Sequence, residues 1–212
     1  MEKYSVDWTS AHQKNFNQLL HHLKGCENLN FLEIGVWEGR TSKWLLDTIL
    51  THPTSTLHAI DIEPKEHFYS NLSEALKQQK VRLTCSKLFD QLQRYYLSGQ
   101  KFDFIYVDGC HLMKNVLEDV TLSFHLLNIG GIMLMDDYPW DNYAYLDSLY
   151  HLDALPLADR YSNLTPKHAI DAFLLAYAHE IEVLIMDYQV GIRKKESFEK
   201  QYSRSVPIDY QF

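Results

Sequence analysis

The stretch from Phe31 to Thr41 constrains the fold of this chain more than any other. The run from Leu29 to Ile34 is short and mostly apolar, which is typical of a strand buried in a parallel sheet. Gly35 and Gly39 then mark a tight turn, and a helical pattern begins at Thr41. Glycine suits such a turn because a Cβ would block both positive φ angles and the close approach of a ligand. A strand, a glycine turn and a helix form the unit that presents backbone amides to a nucleotide.

The spacing of this turn favours one kind of nucleotide ligand over another. It is Gly-x-x-x-Gly behind Glu33, whereas dinucleotide sites carry Gly-x-Gly-x-x-Gly. A carboxylate at Glu33 is badly placed for a pyrophosphate but well placed for an ammonium group. The turn therefore favours S-adenosylmethionine, whose amino-acid end carries a cationic amine, over NAD. A strand-to-helix turn that binds nothing explains this motif equally well.

Composition limits what such a site acts on. With 212 residues, 46% of them hydrophobic, the chain can bury one good core, so we expect a single domain over residues 1–212. The net charge of −8 disfavours a nucleic-acid partner. Three cysteines, all in or beside apolar runs, fit a reducing compartment, and no apolar signal or membrane-spanning stretch is visible. We expect a cytoplasmic protein that acts on a small molecule, without a membrane partner.

Apolar runs alternate with helical stripes along most of the chain. After a leading helix within residues 1–28, the pattern predicts strands over 29–34, 56–60, 81–85, 101–107 and 132–135, separated by helices that include 64–79 and 116–127. Strands over 181–186 and 188–192 are joined too tightly for a crossover, so they must be antiparallel. This pattern predicts an α/β fold, a doubly wound, mostly parallel seven-stranded sheet with a C-terminal antiparallel hairpin.

Two segments fall outside this alternation. Residues 138–165 have weak periodicity and many aromatic side chains, which predicts an insertion on the substrate side. Its rings could form an apolar wall for a substrate, pack down the insertion itself or make a contact in a homo-oligomer; they include Trp140, Tyr143, Tyr145 and Tyr150. Residues 194–212 are predicted to form a polar, loosely held tail.

Ligands of doubly wound sheets bind beyond the carboxyl ends of the strands, so polar residues at these ends are candidate site residues. Asp61 closes the second strand, where an acid can accept both ribose hydroxyls of an adenosine; the alternative is a helix cap or a solvated turn. Ser86 follows the third strand and could bond the adenine edge or cap the next helix.

Acidic residues also end the fourth and fifth strands. Asp108 follows one strand, and Asp136 and Asp137 follow the other, so we expect the three carboxylates to meet above the sheet. Three carboxylates at one place repel unless a cation joins them, and hard oxygen ligands suit Mg²⁺, with Mn²⁺ or Ca²⁺ as alternatives. They could instead be loop acids that cap helices. Asp119 lies within a predicted helix and is expected at the surface.

His111 stands three residues beyond Asp108, at the mouth of the predicted site. Imidazole is the usual general base near neutral pH, and it could take the proton from a hydroxyl that a metal has acidified. A histidine near a strand end is also commonly plain polar scaffolding, and this chain has eleven histidines.

Four segments taken together, 31–41, 59–61, 107–111 and 130–137, resemble the class I S-adenosylmethionine-dependent methyltransferases. They are most similar to the small-molecule O-methyltransferase branch with Asp-Gly-x-His after the fourth strand. The resemblance to its metal-dependent members, including macrolide-sugar methyltransferases, implies a Rossmann-like fold with Asp108, Asp136 and Asp137 as metal ligands and His111 as the base. Catechol-type relatives usually carry Asp-Asn and a lysine at the corresponding places, which argues against a catechol substrate.

The glycine spacing and the acid after the second strand indicate which residues surround the cofactor. Glu33 is expected to face its amine, Gly35 and Gly39 to admit it, and Thr41 to lie near its carboxylate. Asp61, Ser86 and Asp108 are expected along its adenosine and its reactive end.

Three other functions fit parts of this pattern. An NAD-dependent oxidoreductase would share the fold and the acid after the second strand. That function does not explain the acids after the fifth strand. Methyltransferases of nucleobase or protein nitrogen often carry an Asn/Asp-Pro-Pro-Tyr segment after the fourth strand, where this chain has Asp108-Gly109. A binding module that has lost catalysis is the third.

Overall fold

The computed structural model describes residues 2–141 and 165–196 of the chain. Seven strands form one sheet in the order β3-β2-β1-β4-β5-β7-β6. Their bounds are β1 Asn30–Ile34, β2 Thr56–Asp61, β3 Val81–Cys85, β4 Phe102–Val107, β5 Leu127–Met135, β6 Ile181–Met186 and β7 Val190–Lys194. Strand β7 pairs antiparallel with both β5 and β6, whereas β1 to β5 pair in parallel. The predicted fold class is therefore confirmed.

Helices cover both faces of the sheet. They are α1 Gln13–Leu20, α2 Arg40–Thr48, α3 Glu66–Asn71, α4 Ser73–Lys77, α5 Leu88–Leu97, α6 Met113–Leu126 and α7 Pro166–Ala176, with 3₁₀ turns at Ser10–His12 and His21–Leu23. Side chains of α1 to α4 pack on one face around Phe31 and Phe104, and those of α5 to α7 pack on the other around Ile105 and Met133. Neighbouring strand residues supply opposite faces because side chains alternate along a strand.

The leading helix packs on the face of the sheet. Phe16 of α1 is fully buried, and its ring contacts Phe104 and Tyr106 of β4 at centroid distances of 6.5 and 5.1 Å. The helix therefore covers the middle of the sheet, where β1 and β4 diverge in chain order.

Three predicted boundaries are wrong. Strand β5 begins at Leu127, so the Gly130-Gly131 pair lies within the strand instead of ending a helix; the register with β4 shifts beside it, as at a β-bulge. The predicted helix over 64–79 is two short helices that break at Leu72. Strand β7 begins at Val190 and includes Lys194, which leaves Tyr188 in the hairpin turn and moves the start of the tail.

The register of the strands determines where the candidate site lies. Ile34 of β1 lies beside both Ile60 and Val107, and Val107 lies beside Met135. The residues that follow these positions therefore form a row along one edge of the sheet. In the described residues, no helix is long and apolar enough to cross a membrane.

Gly35 is required where β1 meets β4. Its φ is +80°, and a Cβ added there would lie 1.9 Å from the carbonyl oxygen of Asp108. Two strand ends can approach this closely only if the residue has no side chain.

We expect Gly35→Ala to destabilise the fold by clearly more than Gly99→Ala. Gly99 has a similar φ of +73° but nothing within 4 Å of an added Cβ, so its substitution carries only the left-handed backbone cost of about 1–2 kcal/mol. Urea denaturation of both variants and of the wild type measures the difference. Equal losses of unfolding free energy would show that the contact with Asp108 relaxes without cost.

Candidate functional site at the carboxyl ends of the strands

The turn after β1 is built around two left-handed glycines. Gly39, with φ +77°, immediately precedes α2, and an added Cβ there would lie 2.9 Å from both Leu72 and Phe68. Packing against α3 therefore explains Gly39, whereas contact with the backbone of β4 explains Gly35. The sequence motif predicted both glycines but not these separate reasons.

Glu33 lies beneath the turn, almost completely buried at 1% exposure. Its Oε2 accepts a hydrogen bond from Ser42 Oγ of α2 at 2.5 Å. Burial, together with the nearby charge of Asp61, raises the pKa of Glu33 to about 8 although the Ser42 bond opposes the shift. No cation pairs with Glu33 among the described residues, so its carboxyl is suited to a positively charged ligand group.

Asp61 ties the end of β2 to this turn. Its Oδ2 accepts hydrogen bonds from the backbone N–H groups of Val36 at 2.9 Å and Trp37 at 3.3 Å, and its Oδ1 accepts one from Glu63 at 2.9 Å. Asp61 thus has a structural role, and because Oδ2 already accepts two donors, capacity for a further donor remains on Oδ1.

Thr41 lies in the first turn of α2, and Ser86 directly follows β3. The hydroxyl of Thr41 bonds that of Thr9 at 2.9 Å in a buried contact. Ser86 does not cap α5; its N–H donates to the carbonyl of Asp61 at 3.2 Å, and its hydroxyl makes a long bond to Lys87 O at 3.3 Å.

The segment before α1 lies across the glycine turn, which sequence reasoning missed. Glu38 of the turn accepts hydrogen bonds from Ser5 N at 2.6 Å and from His67 Nδ1 at 3.1 Å. Asp7 pairs with Arg40 at 2.5 Å, and Trp8 contacts Trp37 with centroids 5.8 Å apart. In the sequence Glu38 is an ordinary acid of a turn, and its burial under the leading segment is evident only in the fold.

Asp108 and Asp136 meet at the hydroxyl of Tyr106. This buried hydroxyl lies 3.2 Å from Asp108 Oδ2 and donates a hydrogen bond to Asp136 Oδ2. Burial and the neighbouring acids raise the pKa of Asp108 well above its usual range, and burial and Asp137 raise that of Asp136. Tyr106 precedes Asp108 by two residues in an extended chain, a spacing that puts both on one face and could have been read from the sequence.

Asp137 adopts a different arrangement. Its Oδ2 lies 2.7 Å from His111 Nε2, its Oδ1 accepts a hydrogen bond from Tyr188 at 2.7 Å, and its φ is +57°. Burial opposes ionisation of Asp137, but the bonds to His111 and Tyr188 hold its pKa below the usual range. The ring of Trp140 lies 4.5 Å from that of His111.

The oxygen atoms of these three acids determine whether the cluster could bind a divalent cation. Asp108 and Asp136 supply converging hard oxygens that repel each other in the absence of a positive charge. Asp137 is turned to His111, and the described residues contain no group of three or more His, Cys, Asp or Glu side chains arranged as a ready-made metal site. The structure thus brings two of the predicted ligands together and pairs the third with the predicted base.

Asp119 is buried, so its predicted surface position is wrong. It is 9% exposed, and its Oδ2 lies 3.7 Å from the position of a Cβ added to Gly109. The carboxyl therefore faces the loop that contains Asp108. Burial, with a smaller effect of Glu118, raises its pKa to about 7.

A cavity of about 240 Å³ lies away from all these acids, at the amino ends of the strands. Its lining includes Leu29, Asp103 and Gly131. Because neither the acids nor His111 border it, we assign the candidate site to the opposite edge of the sheet.

Comparisons with known proteins agree with this fold. A sequence model described as a methyltransferase domain matches residues 32–138, half of the chain. No curated protein matches the chain significantly.

Solved structures with this fold include three methyltransferases. MycE from the mycinamycin biosynthetic pathway, solved with Mg and SAH, is 14% identical with a TM-score of 0.61; the match covers 97% of this chain but only 57% of MycE. The Bacillus cereus O-methyltransferase with SAH is 19% identical with a TM-score of 0.60, covering 90% and 83% of the two chains. TomG from Streptomyces achromogenes, solved with SAM, is 18% identical with a TM-score of 0.59, covering 88% and 86%. At these identities the likeness establishes the fold.

Stability should fall as pH rises from about 4 to 7 because of Asp119. Its folded-state pKa of about 7 lies above the ordinary 3.8, so the folded protein keeps a proton that the unfolded chain releases. Asp119→Asn should make the slope shallower by the contribution of Asp119, while Glu33, Asp108 and Asp136, whose pKa values are also raised, keep the rest. The substitution should stabilise the protein at pH 8, with little effect at pH 4. Urea denaturation across this range measures it, with Glu118→Gln as the control that retains most of the slope. A slope as steep in Asp119→Asn as in the wild type would show that Asp119 does not contribute to it.

Proposed function

Because the chain belongs to the family of methyltransferase domains, we propose that it transfers a methyl group from S-adenosylmethionine to a hydroxyl group of a small molecule. The observation that carries this proposal is the row of polar groups at one edge of the sheet. Glu33 and Asp61 stand at the ends of β1 and β2, and Asp108 and His111 follow β4. One end of the row suits a cationic nucleoside ligand, and the other suits a hydroxyl that must lose its proton.

The methionine end of the cofactor is proposed to bind at the glycine turn. The buried carboxyl of Glu33 supplies the counter-charge for its ammonium group, and Gly35 and Gly39 shape the turn that receives it. Thr41 would lie near the cofactor carboxylate, at the place where its hydroxyl now contacts Thr9.

The adenosine end is proposed to lie over the ends of β2 and β3. The oxygens of Asp61 already accept three backbone N–H groups, and the lone pair that remains on Oδ1 would accept a ribose hydroxyl; the second hydroxyl would be accepted only if it replaced the longer bond from Trp37. Ser86, bonded to the carbonyl of Asp61, would face the adenine edge. Asp108 would then stand between the cofactor and the acceptor.

A divalent cation, most simply Mg²⁺, is proposed at Asp108, Asp136 and Asp137. The mutual repulsion of these partly buried acids supports this assignment, and MycE, which shares the fold, was solved with Mg. A cation bound there would lower the pKa of the acceptor hydroxyl.

His111 is proposed to remove the proton from the acceptor. A neutral His111 that donates Nε2–H to Asp137 carries its lone pair on Nδ1, where it can accept a proton. Asp137 would hold the ring in this tautomer and stabilise its protonated form. The resulting oxygen would attack the methyl carbon in line with the leaving sulfur.

The acceptor is proposed to be a small hydroxylated molecule held beside Trp140, whose ring lies 4.5 Å from that of His111. MycE was also solved with mycinamycin VI, and TomG is involved in tomaymycin synthesis, so small-molecule acceptors occur on this fold. Of the other predicted aromatic residues, Tyr143, Tyr145 and Tyr150 lie outside the described residues.

The remaining assignments are proposals from the sequence. They are a single methyltransferase domain over 1–212 with its substrate-side insertion at 138–165 and its polar tail, a cytoplasmic location and no nucleic-acid or membrane partner. A homo-oligomer is compatible with all of them.

Binding of S-adenosylhomocysteine should strengthen as pH rises from 6 towards 8. The pKa of Glu33 in the free protein is about 8, so a cationic amine that needs the carboxylate must displace a proton. Affinity should rise by up to about tenfold per pH unit, and level off above pH 8. Glu33→Gln should bind more weakly at pH 8 and lose the pH dependence.

Calorimetry in two buffers of different ionisation enthalpy measures the released proton directly. Glu38→Gln is the matched control, since Glu38 is also a buried acid of the turn but is already paired with Ser5 and His67. Binding without proton release would show that Glu33 does not pair with the amine of the cofactor. No binding at any pH would contradict the proposed function and favour a module that has lost catalysis.

Methyl transfer should require both His111 and the cation. His111→Ala should reduce the rate by about 10²–10⁴, as loss of a general base does, without weakening S-adenosylhomocysteine binding. EDTA should stop turnover, and added Mg²⁺ should restore it. Release of S-adenosylhomocysteine with a panel of hydroxylated acceptors provides the measurement. Full activity in EDTA would remove the metal from the mechanism and leave His111 as the base.

A further inference from the structure

We infer that Thr9 is a further cofactor-binding residue, whose hydroxyl joins that of Thr41 in binding the carboxylate at the methionine end of S-adenosylmethionine. The inference rests on the proposed function. Thr9 belongs to the segment before α1, and only 7% of it is exposed. Its Oγ1 lies 2.9 Å from Oγ1 of Thr41, which is 9% exposed. A residue outside the part that the family model matches, residues 32–138, therefore reaches the first turn of α2.

The two hydroxyls have one donor more than their mutual bond uses. Each hydroxyl carries a single O–H donor, and one of the two donates to the other. The remaining O–H has no acceptor among the residues that the structure describes. A buried donor without an acceptor is costly, so the pair formed by Thr9 and Thr41 is suited to a ligand that brings an acceptor.

The start of α2 favours a negatively charged acceptor at this place. The backbone N–H groups of Arg40 and Thr41 open the helix, and neither donates to an acceptor in the described part of the chain. Unpaired N–H groups in the first turn of a helix, together with the helix dipole, stabilise an anion. A carboxylate would accept hydrogen bonds from these N–H groups and from the hydroxyl pair together.

The guanidinium of Arg40 is already paired elsewhere. Its Nη2 bonds Asp7 Oδ2 at 2.5 Å and Ser10 Oγ at 3.1 Å, and the group lies over the ring of Tyr4, 4.8 Å from the centroid. Because these contacts direct Arg40 to the segment before α1, hydroxyl and N–H donors are left to bind the carboxylate. The same contacts hold that segment beside the turn, so Thr9 is in position before the cofactor binds.

Glu33 keeps the carboxylate on this side of the turn. Its Oε2 accepts the hydrogen bond from Ser42 Oγ, and Ser42 adjoins Thr41 in α2. The amine and the carboxylate of the cofactor are attached to the same carbon atom. An amine that pairs with Glu33 therefore keeps the carboxylate close to the first turn of α2, where Thr9 and Thr41 meet.

The test compares two ligands of the full chain by calorimetry at pH 8, S-adenosylhomocysteine and its decarboxylated analogue, which keeps the amine. Because both ligands carry the amine, pairing with Glu33 affects them alike. Thr9→Val keeps the shape of the side chain without its hydroxyl, and Thr9→Ser keeps the hydroxyl. Ser10→Ala is the matched control, since it removes a neighbouring hydroxyl of the same segment that contacts Arg40 instead.

We expect Thr9→Val to bind S-adenosylhomocysteine about 10–100-fold more weakly than the wild type, the change that loss of a charge-assisted hydrogen bond produces. The decarboxylated analogue should bind Thr9→Val and the wild type equally. Thr9→Ser should restore most of the affinity for S-adenosylhomocysteine, and Ser10→Ala should leave both affinities unchanged. If Thr9→Val does not fold, Thr9→Ala takes its place with the same expected result.

Three results would overturn the inference. Unchanged or tighter binding of S-adenosylhomocysteine to Thr9→Val would show that the hydroxyl of Thr9 does not bind the carboxylate. An equal loss of affinity for both ligands would show that Thr9 acts only by holding the segment before α1. A wild type that binds the decarboxylated analogue as tightly as S-adenosylhomocysteine would show that the carboxylate has no partner.

Failure of the proposed function gives a different result, which the wild type alone reveals. A wild type that binds neither ligand would reject S-adenosylmethionine as the cofactor and, with it, the role of Thr9. A wild type that binds S-adenosylhomocysteine retains the cofactor, and the Thr9 variants then decide whether this residue binds the carboxylate.

Discussion

The close approach of Gly35 to the backbone of Asp108 is the contact on which the rest of the site depends. It joins the ends of β1 and β4, the two strands at which the chain order of the sheet reverses. Parallel register then carries the alignment outwards, since Ile34 lies beside Ile60 and Val107 lies beside Met135. Groups that are far apart in sequence therefore stand in one row, and a shift of one residue in any strand would turn its side chains to the other face.

Along this row the protein buries several acids that are costly to ionise. Glu33 and Asp119 have raised pKa values mainly because they are removed from water, whereas the pKa values of Asp108 and Asp136 are raised by burial and also by neighbouring acids, Asp136 and Asp137 for the first and Asp137 for the second. Groups with strongly shifted pKa values that collect in one region are typical of functional sites. Asp137 differs, because its bonds to His111 and Tyr188 stabilise its charge. The pairing of Asp137 with His111 links the proposed base to the acids.

Both ends of the described chain support this row. The segment before α1 holds the glycine turn through Thr9 and Glu38, and α1 holds the last hairpin through Asn15. Neither region belongs to the part that the family model matches, residues 32–138. The family core therefore supplies the strand-end groups and most of their contacts, and segments outside it add further ones, such as the bond from Tyr188 to Asp137.

The sequence by itself determined the order of strands and helices, the antiparallel hairpin and the residues at the strand ends, because each depends on a local pattern. Period-two and helical stripes reveal buried faces, and an acid just after an apolar run must emerge at an edge of the sheet. Local patterns were insufficient at Gly130-Gly131, where glycines that resemble a helix end lie in a bulged strand.

Only the tertiary structure decided how the polar groups pair. The bond from Asn15 to Gln189 joins residues 174 positions apart, and Asp119 is buried because its helix faces the loop after β4. Asp108 and Asp136 contact the hydroxyl of Tyr106, whereas Asp137 contacts His111. This division likewise depends on where the side chains meet in space. A strand-end position fixes which edge a residue occupies, but its hydrogen-bond partners come from distant segments, and no local periodicity encodes them.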